Sequence, residues 1–168
     1  MIRIVVIAVG LLGTVTALAW PVEKPRDSKH ETAVKAVLDD WHDAAAKADE
    51  ARYFGHMAAE SIFMGTDATE RWNKEQFQKF SHPFFAKGKA WSFKATTRFV
   101  YFAEDGKTAW FDEELDTPNL GPARGTGVLL LKGDSWKIAH YNLTVPIPND
   151  IFKDVKKLIE NAPKPKKS

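Results

Sequence analysis

Gly133-Asp134-Ser135-Trp136-Lys137-Ile138-Ala139-His140-Tyr141-Asn142-Leu143-Thr144-Val145-Pro146 closes the run of strands that decides the fold. The Gly-Asp pair turns the chain, and Pro146 with Pro148 stops it, so Ser135 to Val145 reads as one long strand. Working backward, Ala123–Lys132 and Thr108–Asp116 are two more strands, joined by the loop Thr117–Pro122. Glu104-Asp105-Gly106-Lys107 carries the Asp-Gly signature of a hairpin turn. Before it, Trp91, Phe93 and Ala95 alternate with polar neighbours, and Phe99–Phe102 forms a further strand or its continuation.

Toward the N-terminus the period changes. Val34, Val37, Leu38, Trp41, Ala45 and Ala48 fall on one helical face, which predicts a helix over 30–48. A short helix over 50–58 carries Tyr53, Phe54 and Met57, and Ser61–Gly65 reads as a short strand. Asn73 with Gln76 makes a capping box for a helix over 74–86, with Phe77, Phe80 and Phe84 on one face. Pro83 should kink that helix or end it early. Residues 150–161 (Ile151, Phe152, Val155, Leu158, Ile159) predict an amphipathic closing helix. Helices followed by a meander of strands mean an α+β fold with an antiparallel sheet, one face of which packs on the helices.

The first twenty residues read differently. Arg3, the apolar run Ile4–Leu18 and the small-x-small series Ala17-Leu18-Ala19 have the order of a secretory signal peptide cleaved after Ala19. The run is short for a membrane span of ~20 residues. The sequence has no cysteine, so neither lipid attachment at a Cys nor a disulfide is available. The division predicted is a signal peptide over 1–19, a linker over 20–28, one domain over 29–162 and a disordered basic tail over 163–168. The formal charge of +2 is uneven: six Lys against Asp154 and Glu160 fall within 153–168, whereas residues 20–152 hold 17 basic and 20 acidic residues. A nucleic-acid binder would carry its basic face on the fold itself, so no nucleic acid is expected as a partner. Nor is stable membrane insertion expected once the signal is cleaved.

The order helix, short helix, Phe63-Met64-Gly65-Thr66-Asp67, helix, four long strands, with Gly133-x-x-Trp136-Lys137-Ile138-x-His140 and the following Thr144-x-Pro146, resembles the SnoaL-like branch of the nuclear transport factor 2-like superfamily. The resemblance covers roughly residues 30–150. It implies a strongly curved antiparallel sheet wrapped around the N-terminal helices as a cone, with a cavity at the wide end. Relatives of that kind include isomerases, cyclases, dehydratases, binding subunits and toxin-immunity proteins, so the fold leaves function open. The Tyr and buried-acid pair of the steroid isomerases has no clear counterpart here, which argues against steroid isomerisation.

Candidate site residues follow from parity. Trp136, Ile138, His140, Asn142 and Thr144 share a face of the last strand; with two large apolar residues leading it inward, His140 and Asn142 should form a polar floor to the cavity. A neutral His there can move a proton near pH 7; the alternative is a hydrogen-bonded His closing the core. Arg124 can bind a carboxylate if it points inward, or pair with Asp112, Glu113 or Glu114 on the neighbouring strand. Parity does not say which face of 123–132 is inside. Glu113 stands alone between Phe111 and Leu115, as a base with a raised pKa or an Arg124 partner. Asp67 at the cavity mouth can act as a base, or cap a turn. His42 lies off the apolar face of its helix and should be solvated. Trp41, Phe63, Trp72, Phe84 and Trp110 are the expected aromatic walls. No spacing of His, Cys or acids suggests a metal or cofactor.

These residues point to an exported protein, periplasmic or secreted, that binds a small, partly apolar molecule carrying a polar or anionic group. An isomerase-, cyclase- or dehydratase-type enzyme using a cavity carboxylate or His is the alternative, and a dimeric interaction module is a third reading, with a homodimer the expected state. The mature chain is expected to begin at Trp20; N-terminal sequencing of exported protein that returned Met1 would exclude cleavage there.

Overall fold

The computed structural model describes residues 28–163. The stretch read as a signal peptide (1–19), all but Ser28 of the predicted linker (20–28) and all but Pro163 of the predicted tail (163–168) lie outside the described residues. Four helices and six strands follow one another as α1 (Ser28–Ala46), α2 (Glu50–Gly55), β1 (Met57–Met64), β2 (Arg71–Asn73), α3 (Lys74–Ala86), β3 (Lys94–Phe102), β4 (Thr108–Asp116), β5 (Ala123–Lys132), β6 (Ser135–Thr144) and α4 (Phe152–Asn161), the last preceded by a 3-10 turn at Asn149–Ile151. The strands form one curved sheet in the order β2-β1-β6-β5-β4-β3, open at both edges. All neighbours are antiparallel except β1 and β6, which run parallel. The fold is therefore the expected α+β, with one parallel pair that a simple meander lacks.

The first helix forms for the reason its periodicity gives: Val34, Leu38, Trp41 and Ala45 are all buried. It ends at Ala46, because Ala48 adopts a left-handed φ of 53° and Asp49 N–H returns to the Ala44 carbonyl at 2.8 Å. The second helix stops at Gly55, short of the expected 58, because Met57 already pairs with Ile138 of β6. The capping box of α3 is present, Asn73 and Gln76 each accepting the other's backbone N–H. This helix runs through Pro83 to Ala86 rather than ending early, and it buries Phe77, Ser81 and Phe85, leaving Phe80 and Phe84 half exposed. Trp91 and Phe93 alternate as a strand would but lie in irregular chain before β3.

Burial along the strands fixes the two faces of the sheet. Val100, Ala109, Phe111, Glu113, Leu115, Gly127, Leu129, Ile138, Tyr141 and Leu143 point to the concave side, toward α1 and α3. The glycine face of β5 is thus the inner one. Its two glycines are required by close packing: a Cβ at Gly125 would overlap the Tyr141 hydroxyl, and one at Gly127 would overlap the His140 carbonyl and crowd Phe111.

A bulge decides the last strand. Leu129 pairs with Ile138 and Val128 with His140, so Ala139 has no partner on β5 and the side-chain alternation reverses there. Trp136 and Ile138 do face the core, as expected, but beyond Ala139 the inward residues are Tyr141 and Leu143. His140 and Asn142 stand on the outer face, opposite Val128 and Thr126 of β5 and Ile62 and Met64 of β1. They do not form a cavity floor.

The predicted closing helix does not close the core. Ile151, Phe152, Leu158 and Ile159 remain 49–71% exposed, and no residue of α4 is buried. The concave side is already covered by the first three helices, which leaves α4 nothing to pack on there.

Candidate functional site

Two features stand out on the helix-covered side of the sheet. The first is a polar cluster sealed in the core. Glu113 of β4 is 1% exposed. Its Oε1 accepts from His42 Nε2 at 2.8 Å and from the Tyr141 hydroxyl at 3.2 Å. Its Oε2 faces Arg98 Nε at 2.8 Å and Nη2 at 2.7 Å. Arg98 also donates from Nη1 to Asp39 at 2.6 Å and to the Lys35 carbonyl at 3.2 Å. An ionised carboxylate only accepts, so His42 carries its proton on Nε2, and its Nδ1 is buried without a hydrogen-bond partner.

Burial pushes the Glu113 carboxyl upward, but the hydrogen bonds and charges of His42 and Arg98 outweigh it and hold the group below the usual glutamate value. Glu113 is a fixed negative charge, not a base with a raised pKa. Burial, then the neighbouring Glu113 charge, raise the Tyr141 hydroxyl well above the usual tyrosine value. A tyrosine and a buried acid thus do meet in space, with the acid held ionised.

The second feature is a pocket of about 230 Å³ at the mouth. Phe63 (β1), Trp72 (β2), Phe77 and Phe80 (α3), and Trp91 and Phe93 (the irregular chain before β3) form its walls. The rings of Phe63 and Phe77 stack at 3.9 Å, those of Trp72 and Phe80 at 4.5 Å, and Phe77 and Trp91 lie 5.7 Å apart at 28°. Thr66, Glu70 and Asn119 supply polar atoms, and Gly65, Leu120 and Leu143 complete the lining. The loop that brings Asn119 is held by Thr117, whose buried hydroxyl accepts from Leu120 N–H and donates to the Gly121 carbonyl, both at 3.0 Å. Phe93 separates this pocket from the polar cluster. It lines the pocket on one side and a second recess, shared with His42 and Asp39, on the other, its ring 6.0 Å from that of His42.

Of the expected walls, Phe63 and Trp72 line this pocket. Trp41 is 1% exposed in the core, stacked on Tyr53 at 4.8 Å, and does not line this pocket. Phe84 lies on the exposed side of α3 and Trp110 on the outer sheet face, stacked on Tyr101. Arg124 is also outward, opposite Glu114; it lines a separate recess with Thr96, Glu114 and Asp116. Asp67 accepts from the Thr69 N–H at 2.8 Å and hydroxyl at 2.6 Å, the turn-capping role. Those bonds hold its carboxyl below the usual aspartate value. His140 and Asn142 lie on the outer face, as described above. Glu113 is inward as its parity suggested, with His42, Arg98 and Tyr141 as partners instead of Arg124.

Sequence reading missed His42, which is buried, not solvated. It also missed Arg98, although Arg98 shares the parity of Val100 and Phe102 and pairs with Glu113 in register. Glu70 and Asn119 come from turns, where no periodicity could mark them, and the alternation of Trp91 and Phe93 marked a strand where the chain is irregular, not a pocket wall. Among the described residues no three metal-ligating side chains converge.

The SnoaL-like domain family matches residues 34–148. No curated protein matches the sequence. Solved structures share the fold at low identity. A cystatin-like domain from Nostoc punctiforme is 14% identical, covering 80% of this chain and 88% of its own, with a TM-score of 0.61. A nuclear transport factor 2-like protein from Pseudomonas putida is 13% identical, with 73% and 91% covered and a TM-score of 0.60. A candidate scytalone dehydratase from Novosphingobium aromaticivorans is 8% identical, with 71% and 86% covered and a TM-score of 0.60.

Because the Glu113 carboxyl sits below its unfolded value, its contribution to stability is present above the usual glutamate pKa and is lost as pH falls through the lower folded one. Glu113→Gln is expected to cost ~3–5 kcal/mol near neutral pH, the scale of breaking one partner of a buried ion pair. The variant should also show a flatter stability profile between neutral and acid pH in denaturant melts; an unchanged profile would mean the cluster is not ionised.

Proposed function

This chain belongs to the SnoaL-like domain family, and within it we propose a pocket protein that binds a small, flat, largely apolar molecule at the mouth of the cone. One observation carries the reading: six aromatic side chains from four separate segments converge on one pocket of about 230 Å³. That volume lies below the ~300 Å³ at which drug-sized pockets begin, which suits a ligand of one or two rings. Thr66, Glu70 and Asn119 orient it. Turnover of the isomerase, cyclase or dehydratase kind would need a second proton-transferring group beside Glu70 against the ligand. The buried His42–Glu113 pair stands behind Phe93, and no other acid or imidazole lines the pocket, which favours binding over catalysis. Export to the periplasm or medium belongs to the same proposal, supported by Arg3, the apolar run and Ala17–Ala19.

A neutral two-ring probe such as naphthol tests the pocket by calorimetry. Trp91→Ala should weaken it about tenfold, as losing a stacked aromatic partner does, while Trp110→Ala on the outer face leaves it unchanged. A larger effect at Trp110 would exclude this pocket.

A second reading concerns assembly. On the outer face of the sheet Phe99, Tyr101 and Trp110 are 38–49% exposed, beside the half-buried Val128 and Leu130. The apolar row Tyr101–Trp110–Val128, which crosses three strands, supports a homodimer formed sheet to sheet. Trp110→Lys should convert a dimer to a monomer in sedimentation equilibrium; a wild-type protein that is monomeric throughout would exclude it.

A further inference from the structure

The rim of the pocket carries one ionisable group. Among its twelve lining residues Glu70 alone has a charge, and no Lys, Arg or His joins it. The carboxylate is held in place by the turn that bears it. Gly65 N–H donates to the Glu70 carbonyl at 2.9 Å and Glu70 N–H to the Asp67 carbonyl at 3.0 Å, so the segment from Gly65 to Glu70 doubles back on itself. Asp67 N–H donates to Oε2 at 3.2 Å. Oε2 lies so close over Gly65 that a Cβ there would collide with it. Oε1 takes no hydrogen bond from any described residue, and Glu70 is only partly exposed. One carboxylate oxygen is therefore fixed by the turn and the other is available to a ligand.

The walls point the same way. Phe63, Trp72, Phe77, Phe80 and Trp91 are linked by stacking contacts with interplanar angles of 12–29°. A planar molecule extends such a series better than a puckered one. The face of an aromatic ring is negative, so these rings attract a cation and disfavour an anion. An anion would in addition meet the Glu70 carboxylate with no compensating cation in the lining. The anionic option loses its other support because Arg124 faces the opposite side of the sheet.

Resting on the pocket reading above, we propose that the pocket selects a planar organic cation, a protonated or N-alkylated nitrogen heteroaromatic, with its positive end against Glu70. The aromatic walls supply contact area for any flat ligand, and Glu70 supplies the discrimination between charges.

Three probes of one shape test this by calorimetry at low salt: N-methylquinolinium, methylnaphthalene and naphthoate. The cation should bind about tenfold more tightly than the neutral probe, the scale of a partly desolvated cation–π and carboxylate contact. Naphthoate should bind most weakly. Glu70→Gln keeps an oxygen for the Asp67 N–H and should weaken the cation severalfold more than methylnaphthalene, narrowing the preference to what the aromatic walls alone supply; an undiminished preference overturns the role of Glu70. A neutral or anionic probe that binds wild type as tightly as the cation overturns the charge selection and leaves the pocket standing. Failure of all three to bind overturns the pocket itself.

Discussion

A carboxylate placed on the concave face of a sheet, under a helix, sets the terms for much of this domain. An unpaired charge there would be excluded by its desolvation cost. Glu113 is tolerated because β3 brings Arg98, α1 brings His42 and β6 brings Tyr141, each to hydrogen-bonding distance. Those three contacts fix three relations at once. They set the register of β3 against β4, the depth of α1 over the sheet, and the inward direction of residue 141. Arg98 carries the constraint further, since it also holds Asp39 and the Lys35 carbonyl one and two turns earlier on the same helix as His42. Gly125 belongs to the same arrangement, because any side chain there would occupy the space where Tyr141 meets Glu113.

The bulge at Ala139 is the consequence of satisfying two demands on one strand. Trp136 and Ile138 must cover the narrow part of the core, and Tyr141 must reach Glu113; strict alternation cannot place 138 and 141 on the same side. One unpaired residue resolves the conflict. Strand parity read from the sequence was sound up to that point and inverted after it, which is why His140 and Asn142 were expected inside. The general architecture was legible because it rests on long periodic segments: the stripe of α1, the capping box at Asn73, and strands β4 and β5, whose limits match the reading residue for residue. The bulge has no local mark. It is dictated by a partner 28 positions away.

The same distinction explains which parts of the pocket could be foreseen. Phe63 and Trp72 sit on short strands and were identified. Trp91 and Phe93 mimic strand alternation but are placed by irregular chain, and Glu70 owes its position to a turn closed by backbone hydrogen bonds. Trp41 was expected in a wall because large aromatic residues serve both cores and pockets; only the crowding of Tyr53 and Tyr141 around it decides for the core. α4 shows the limit of amphipathicity in another form. A stripe of Phe152, Val155 and Ile159 announces a face to be covered, and says nothing about whether this domain covers it.

Filling the centre of the cone with rings has a functional consequence. Trp41, Tyr53, Phe111 and Tyr141 occupy the volume beneath the mouth, and the polar cluster lies among them. Phe93 then seals the side of His42 that would otherwise open toward the pocket. On the proposed reading, the ligand-accessible space is displaced to the rim, where the walls are aromatic and the one charge in the lining is supplied by a turn. Buried polarity and the proposed recognition then fall to different residues. Substitutions around Glu113 act first on the fold, whereas Glu70 lies outside the core cluster and its replacement would act on the ligand first. If the pocket binds as proposed, its charge preference can change through one turn while the sheet and its ion-pair cluster stay fixed.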